Sequence, residues 1–88
     1  MFFVYVLKSL KDNNHYIGMT EDVEKRLIRH NQGKVLSTKN RRPFQLLLTE
    51  EYTDRQQARK REKFLKSGPG HYELNTFLTK RRVPTSSR

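Results

Sequence analysis

The chain opens on a run in which every position from Phe2 to Leu7 is apolar, closed by Lys8. Side chains alternate along a strand, so Phe3, Tyr5 and Leu7 take one face and Phe2, Val4 and Val6 the other. Two apolar faces predict a central strand covered on both sides. The turn cluster KDNN (11–14) leads to a second strand, His15–Met19, and the pair predicts a hairpin. Thr20 reads as the N-cap of a helix ending near Asn31, with Glu21 and Asp22 at its positive end and Gly33 as a stop signal. A basic stretch of little periodicity follows. Phe44, Leu46 and Leu48 then alternate in a third strand. Asp54 opens a second helix, with Gln57 three residues on in a capping-box pattern, and SGPG (67–70) stops it. A last amphipathic segment, 71–82, carries Leu74, Phe77 and Leu78 on one side. The order β-β-α-β-α-α predicts an α+β domain, a small three-stranded antiparallel sheet flanked by helices.

Helical geometry puts two polar side chains where apolar ones belong. At about 100° per residue, Val23 and Leu27 mark the buried face of the first helix. His30 falls within roughly 20° of Val23, and Arg26 about 60° from it. Each has an ordinary explanation, an ion-pair partner for Arg26 and a boundary histidine for His30. The second helix repeats the pattern, because Glu62 lies on the seam between Ala58 and Leu65. A carboxylate there must be paired, ligated to a cation or shifted in pKa. It is either one half of a Glu–Arg pair, with Arg26 a candidate, or a ligand for a hard divalent cation. Tyr5 and Tyr16 share a sheet face if the hairpin closes with an even number of loop residues, and are separated by an odd loop or a bulge. Gly18 leaves room two positions after Tyr16 for a ligand or a close backbone approach. Two tyrosines, an arginine, a histidine and a glutamate at the meeting of one sheet face and two helices suit phosphodiester hydrolysis. A cation on Glu62 would polarise a phosphate oxygen, Arg26 would hold the charged transition state, and a tyrosine would act as base if nearby cations lowered its pKa.

Composition narrows the classes of function. Nineteen Lys and Arg against nine Asp and Glu give +10 over 88 residues, an excess that favours a polyanionic partner such as nucleic acid. The candidate contacts are Lys34, Lys39, Arg41 and Arg42 in the basic loop and Arg59 and Lys63 on the second helix. Cysteine is absent, which excludes a disulfide framework, and three scattered histidines without thiols argue against structural zinc. The apolar N-terminal run is too short for a membrane span and lacks the basic segment that precedes a signal peptide's apolar core. A single cytoplasmic domain over 1–80 with a basic, disordered tail over 81–88 is the expectation.

With these residues in place the sequence resembles the GIY-YIG nuclease domains, in particular their small stand-alone members. FVY (Phe3–Tyr5) stands where the family has GIY, and YIG (Tyr16–Gly18) is intact. Arg26 and His30 match the family's helix arginine and histidine. Glu62, in the pattern AxxxExxLK, matches its metal-binding glutamate, and Asn75 corresponds to a late asparagine of some members. The likeness covers residues 1 to about 78. Phe3 departs from the family's glycine, a position that small members relax. The resemblance implies one Mg²⁺ or Mn²⁺ on Glu62 and hydrolysis leaving a 5′-phosphate and a 3′-hydroxyl. It also implies Tyr5 as general base, Tyr16 and His30 positioning the water or tuning that tyrosine, and Arg26 on the scissile phosphate. With no targeting module in this chain, structure-selective or weakly specific cleavage of DNA, with RNA still open, is expected, in repair or recombination. The alternatives are a non-catalytic nucleic-acid-binding module on the same scaffold, or a nuclease subunit that needs a protein partner.

Overall fold

A computed structural model describes residues 1–82. The elements are β1 (Phe2–Ser9), β2 (His15–Thr20), α1 (Val23–Asn31), a short 3₁₀ turn (Lys39–Arg41), β3 (Phe44–Tyr52), α2 (Arg55–Leu65) and α3 (Gly68–Arg82). The three strands form one antiparallel sheet in the order β2-β1-β3, so β1 is central as its two apolar faces require. Its faces lead to separate cores. Val4 and Val6 pack with Ile17, Ala58, Leu65 and Leu74 under α2 and α3. Tyr5 and Leu7 pack with Phe44, Tyr16, Val23 and Leu27 under α1. The anticipated β-β-α-β-α-α order is the one observed.

The β1–β2 register pairs Tyr5 with Gly18 and Leu7 with Tyr16, so the two tyrosines lie on one face, diagonal neighbours. Four residues separate Ser9 from Asn14, whose carbonyl accepts from the Ser9 amide at 2.9 Å. That even spacing meets the condition for a shared face. Asn13 takes the left-handed backbone conformation (φ 63°) that the return of the chain requires, at little cost for asparagine.

Several local features differ from the expected ones. The N-cap of α1 is Asp22, whose Oδ1 accepts from the Lys25 amide at 3.0 Å. Thr20 is the last residue of β2, and its hydroxyl accepts from the Asp22 amide in the turn before the helix. Asp54 caps α2 as expected, but through the Gln56 amide one residue earlier than a capping box would use. In β3 a bulge against Val6 and Leu7 pairs Leu48 with Val6 and Leu46 with Leu7, leaving Leu47 as the extra residue. The simple alternation of Phe44, Leu46 and Leu48 is thereby broken: Phe44 joins the α1 core and Leu48 the other. Finally, SGPG ends α2 and also begins α3. Pro69 suits a first helical turn, where its missing N–H is no loss, and the Ser67 hydroxyl accepts from the Gly70 amide like a cap. Phe77, expected with Leu74 and Leu78 on the apolar side, is 43% exposed. α3 runs to Arg82, where the anticipated segment 71–82 ends, and residues 83–88 of the anticipated tail lie outside the described residues.

Candidate active site

The α1 face of the sheet holds a buried polar chain where a core would otherwise be apolar. Tyr5, at the middle of the central strand, is 1% exposed. Its ring occupies the space that Gly18 leaves open, since a Cβ at Gly18 would stand 2.5 Å from the phenol oxygen. The close approach allowed by that glycine is thus to Tyr5 itself. The Tyr5 hydroxyl meets His30 Nε2 at 3.0 Å, and Arg26 Nε donates to the same oxygen at 3.3 Å. Both partners come from α1, one turn apart, which explains their place beside its apolar stripe. Tyr16 closes the cluster, its ring 6.2 Å from that of Tyr5 and 5.0 Å, edge-on, from that of His30.

His30 is completely buried and its second nitrogen is also engaged. Nδ1 lies 2.8 Å from Thr38 Oγ1, and the Thr38 hydroxyl donates to the Val35 carbonyl at 3.3 Å. A hydroxyl has one proton, so Thr38 must accept from Nδ1–H, which leaves Nε2 bare to accept from Tyr5. The chain of donors runs Tyr5 to His30 to Thr38 to Val35. Thr38 is fully buried and was not among the residues singled out from the sequence. It sits in the aperiodic basic stretch, and the only signal for it is a small hydroxyl eight residues after a seam histidine.

The loop that carries Thr38 is fixed at both ends. Gly33, at φ +78°, turns the chain out of α1, with the Lys34 amide donating to Arg29 O at 3.0 Å and the Gly33 amide to His30 O at 3.1 Å. This paired pattern is the Schellman stop that glycine favours. Farther on, the Asn31 side chain donates to Phe44 O and accepts from Phe44 N at 3.2 and 2.7 Å, pinning the start of β3 to α1. Ser9 Oγ donates to Arg41 O at 2.6 Å and ties the hairpin to the same loop.

The electrostatics follow from burial. Burial first, and then the Arg26 charge, pushes His30 down to about 4, so the imidazole is neutral near pH 7. Burial raises the Tyr5 phenol above its usual value. The Arg26 hydrogen bond opposes that rise, and Tyr16 and Glu62 add to it. Arg26 is raised in turn, chiefly by its bond to Tyr5. The site at rest is therefore a protonated phenol beside a neutral imidazole and a fixed guanidinium.

Glu62 comes from α2, across the sheet, and its charge acts on Tyr5. Its side chain is 14% exposed and its oxygens face Lys66 Nζ at 3.1 Å and Arg59 Nε at 3.6 Å. The pair suggested with Arg26 is not the one formed. Both cationic partners are half-exposed, Arg59 on the same helix and Lys66 at its C-cap, so either can swing away from the carboxylate. Among the described residues no three His, Cys, Asp or Glu side chains gather in one place. A lone carboxylate nevertheless fits Mg²⁺ or Mn²⁺, which take one or two protein oxygens and fill the remaining positions with water and substrate phosphate.

The basic residues separate into two kinds. Lys34, Lys39, Arg42, Arg59 and Lys63 are exposed. Arg41 is half-buried and occupied, with Nε 2.8 Å from Asp12, a donor to His15 O, and its guanidinium over the Phe44 ring. Arg61 is likewise held in a two-pronged pair with Glu50 and a further pair with Glu73. Asn75 is exposed on α3 and lines a cavity with Lys8, His15 and Leu47 on the other side of the sheet from Tyr5.

Comparison with known proteins gives the family. The family model described as the GIY-YIG catalytic domain matches residues 1–73, and the chain belongs to that family of nuclease domains. Its relatives include UPF0213 proteins. It is 37% identical over 82 residues to that of Staphylococcus saprophyticus and 38% to one from Staphylococcus epidermidis, covering 92% of this chain and 88% of theirs. The solution NMR structure of the UPF0213 protein of Bacillus halodurans superposes with a TM-score of 0.53 at 32% identity, over 88% of this chain and 85% of that one. The family implies nucleic acid as the class of substrate and a divalent ion as the class of cofactor. Among the described residues no helix is long and apolar enough to cross a membrane.

Proposed function

We propose that the chain is a cytoplasmic Mg²⁺- or Mn²⁺-dependent endonuclease that hydrolyses DNA phosphodiester bonds with structural rather than sequence preference, in repair or recombination. The observation that carries this reading is the buried Tyr5 oxygen held between Arg26 Nε and the bare Nε2 of His30. A raised phenol pKa excludes a standing tyrosinate, so the base must act in relay. As a water oxygen attacks phosphorus, Tyr5 takes the water proton while its own proton passes to His30 Nε2. The resulting imidazolium keeps its Nδ1–H on Thr38. The bond to the 3′-oxygen breaks, leaving a 5′-phosphate and a 3′-oxygen that takes its proton from solvent. Arg26 holds the phosphoryl oxygens next to Tyr5. A bound phosphodiester also offsets the Arg26 charge that depresses His30, which makes the imidazole a better acceptor when substrate is present. Glu62 would hold the divalent ion, whose charge stabilises the phosphoryl and leaving oxygens.

One observation favours a second reading. Both Glu62 oxygens already face cations, which suits a binding module or a subunit whose site is completed by a protein partner.

The deciding assay is cleavage of labelled duplex, single-stranded, flap and four-way-junction DNA, and of matching RNA, with either ion or with chelator. The expected result is ion-dependent cutting that falls about 10²–10⁴-fold in Tyr5→Phe and in Glu62→Ala. Cutting that survives both substitutions would sink the mechanism. Salt-sensitive binding with no cutting by the parent protein would support the second reading.

A further inference from the structure

Leu36 is 84% exposed, the most exposed large apolar side chain among the described residues. It stands at the tip of the loop that leads from His30 to Thr38, with Lys34, Ser37 and Lys39 exposed around it. The tip is not slack. The Gly33 and Lys34 amides close the end of α1, and the Thr38 amide donates to Val35 O at 3.0 Å. The Thr38 side chain is buried against His30, and the Arg42 guanidinium lies over Gly33 and donates to Lys39 O at 2.9 Å. These contacts hold Leu36 in water two residues from the Thr38 hydroxyl that meets His30, against the apolar tendency to bury.

Charge indicates what would cover it. From Lys25 to Thr49 the sequence has seven Lys and Arg and no Asp or Glu, so the segment bearing Leu36 attracts a polyanion. Aliphatic side chains presented this way, among phosphate-binding cations, can enter a duplex between base steps and unstack them. Intact stacks resist such entry, whereas a mismatch, nick or branch has already lost part of its stacking.

We propose that Leu36 is a wedge that selects nucleic acid with interrupted base stacking and seats it against the Tyr5–His30 site. The proposal rests on the nuclease reading and names its substrate class. It also assigns Lys34 and Lys39 to the flanking phosphates.

The test is performed in chelator, so that cutting plays no part. Affinities for an intact duplex, the same duplex with one mismatch, and a four-way junction are measured by fluorescence anisotropy at two salt concentrations. A 2-aminopurine beside the mismatch reports unstacking. The parent protein is expected to prefer the interrupted substrates by about tenfold and to brighten the probe. Leu36→Ala should remove the preference and the brightening while keeping the salt dependence, and Leu36→Phe should keep all three. Equal affinity of the parent for intact and interrupted duplex, or a preference unchanged in Leu36→Ala, overturns the wedge alone and leaves the tip to a protein partner. Absence of salt-sensitive binding to every substrate overturns the wedge and the nuclease reading together.

Discussion

The two faces of β1 differ in what they bury. Its even positions, Val4 and Val6, meet Ile17, Ala58, Leu65 and Leu74 in an apolar layer beneath α2 and α3. Its odd positions, Tyr5 and Leu7, meet a layer in which the side chains of Tyr5, His30 and Thr38 are linked through polar atoms. One strand thus carries an apolar layer on one side and a hydrogen-bonded polar layer on the other. Burial on the first side is favourable without further conditions, at about 25 cal/mol per Å² of apolar surface. Burial on the second is tolerable only because each polar atom has its partner. The apolar layer should therefore be the thermodynamic support, and the polar layer should be sensitive to pH and to single-atom changes.

The largest effect on this contrast is expected from Leu65→Ala. It removes a fully buried side chain from the apolar layer and should cost about 2–5 kcal/mol in urea unfolding, with the remaining folded protein unchanged in activity. A cost below about 1 kcal/mol would show that this layer is not the support.

Acid should act on the other layer. His30 is held at about 4 against an ordinary 6.5, so the folded state prefers the neutral imidazole. Its contribution is complete above pH 6.5 and is lost as pH falls from there through about 4, because the unfolded chain binds the proton more readily. The loss should approach about 3 kcal/mol. Unfolding free energies measured between pH 7 and pH 4.5 should fall steeply in the parent and more gently in His30→Asn. Parallel curves would remove His30 as the cause. Asp12, held at about 2 chiefly by Arg41, loses its contribution only at still lower pH, so the two titrations separate.

The smallest change is Thr38→Val, which keeps the shape and removes the acceptor for His30 Nδ1–H. It should cost about 1–3 kcal/mol and lower cleavage, whereas Thr38→Ser should restore both. If Thr38→Val were neutral in stability and activity alike, the hydroxyl would not be setting the tautomer.

Much of this arrangement was legible along the chain. The doubly apolar run 2–7 marked β1 as central, and the 100° step of a helix placed Arg26 and His30 beside the seam. Both signals are local, because strand alternation and helical periodicity depend only on positions close in sequence. The cap of α1 shows their limit. Thr20 and Asp22 are both good caps, and only the extent of β2, which ends at Thr20, decides between them.

The sequence by itself determined the element order, the central strand with its two apolar faces, and the place of Arg26 and His30 beside the seam of α1. The tertiary structure alone decided which atoms those residues meet. It put Thr38 behind His30, gave Glu62 to Lys66 and Arg59, filled the space at Gly18 with Tyr5, and set Asn75 across the sheet. It also turned Phe44 and Leu48 to opposite layers through the bulge at Leu47. The reason is physical. Periodicity and capping are settled within a few residues, but the partner of a buried polar group is whichever atom the packing of distant segments brings within about 3 Å.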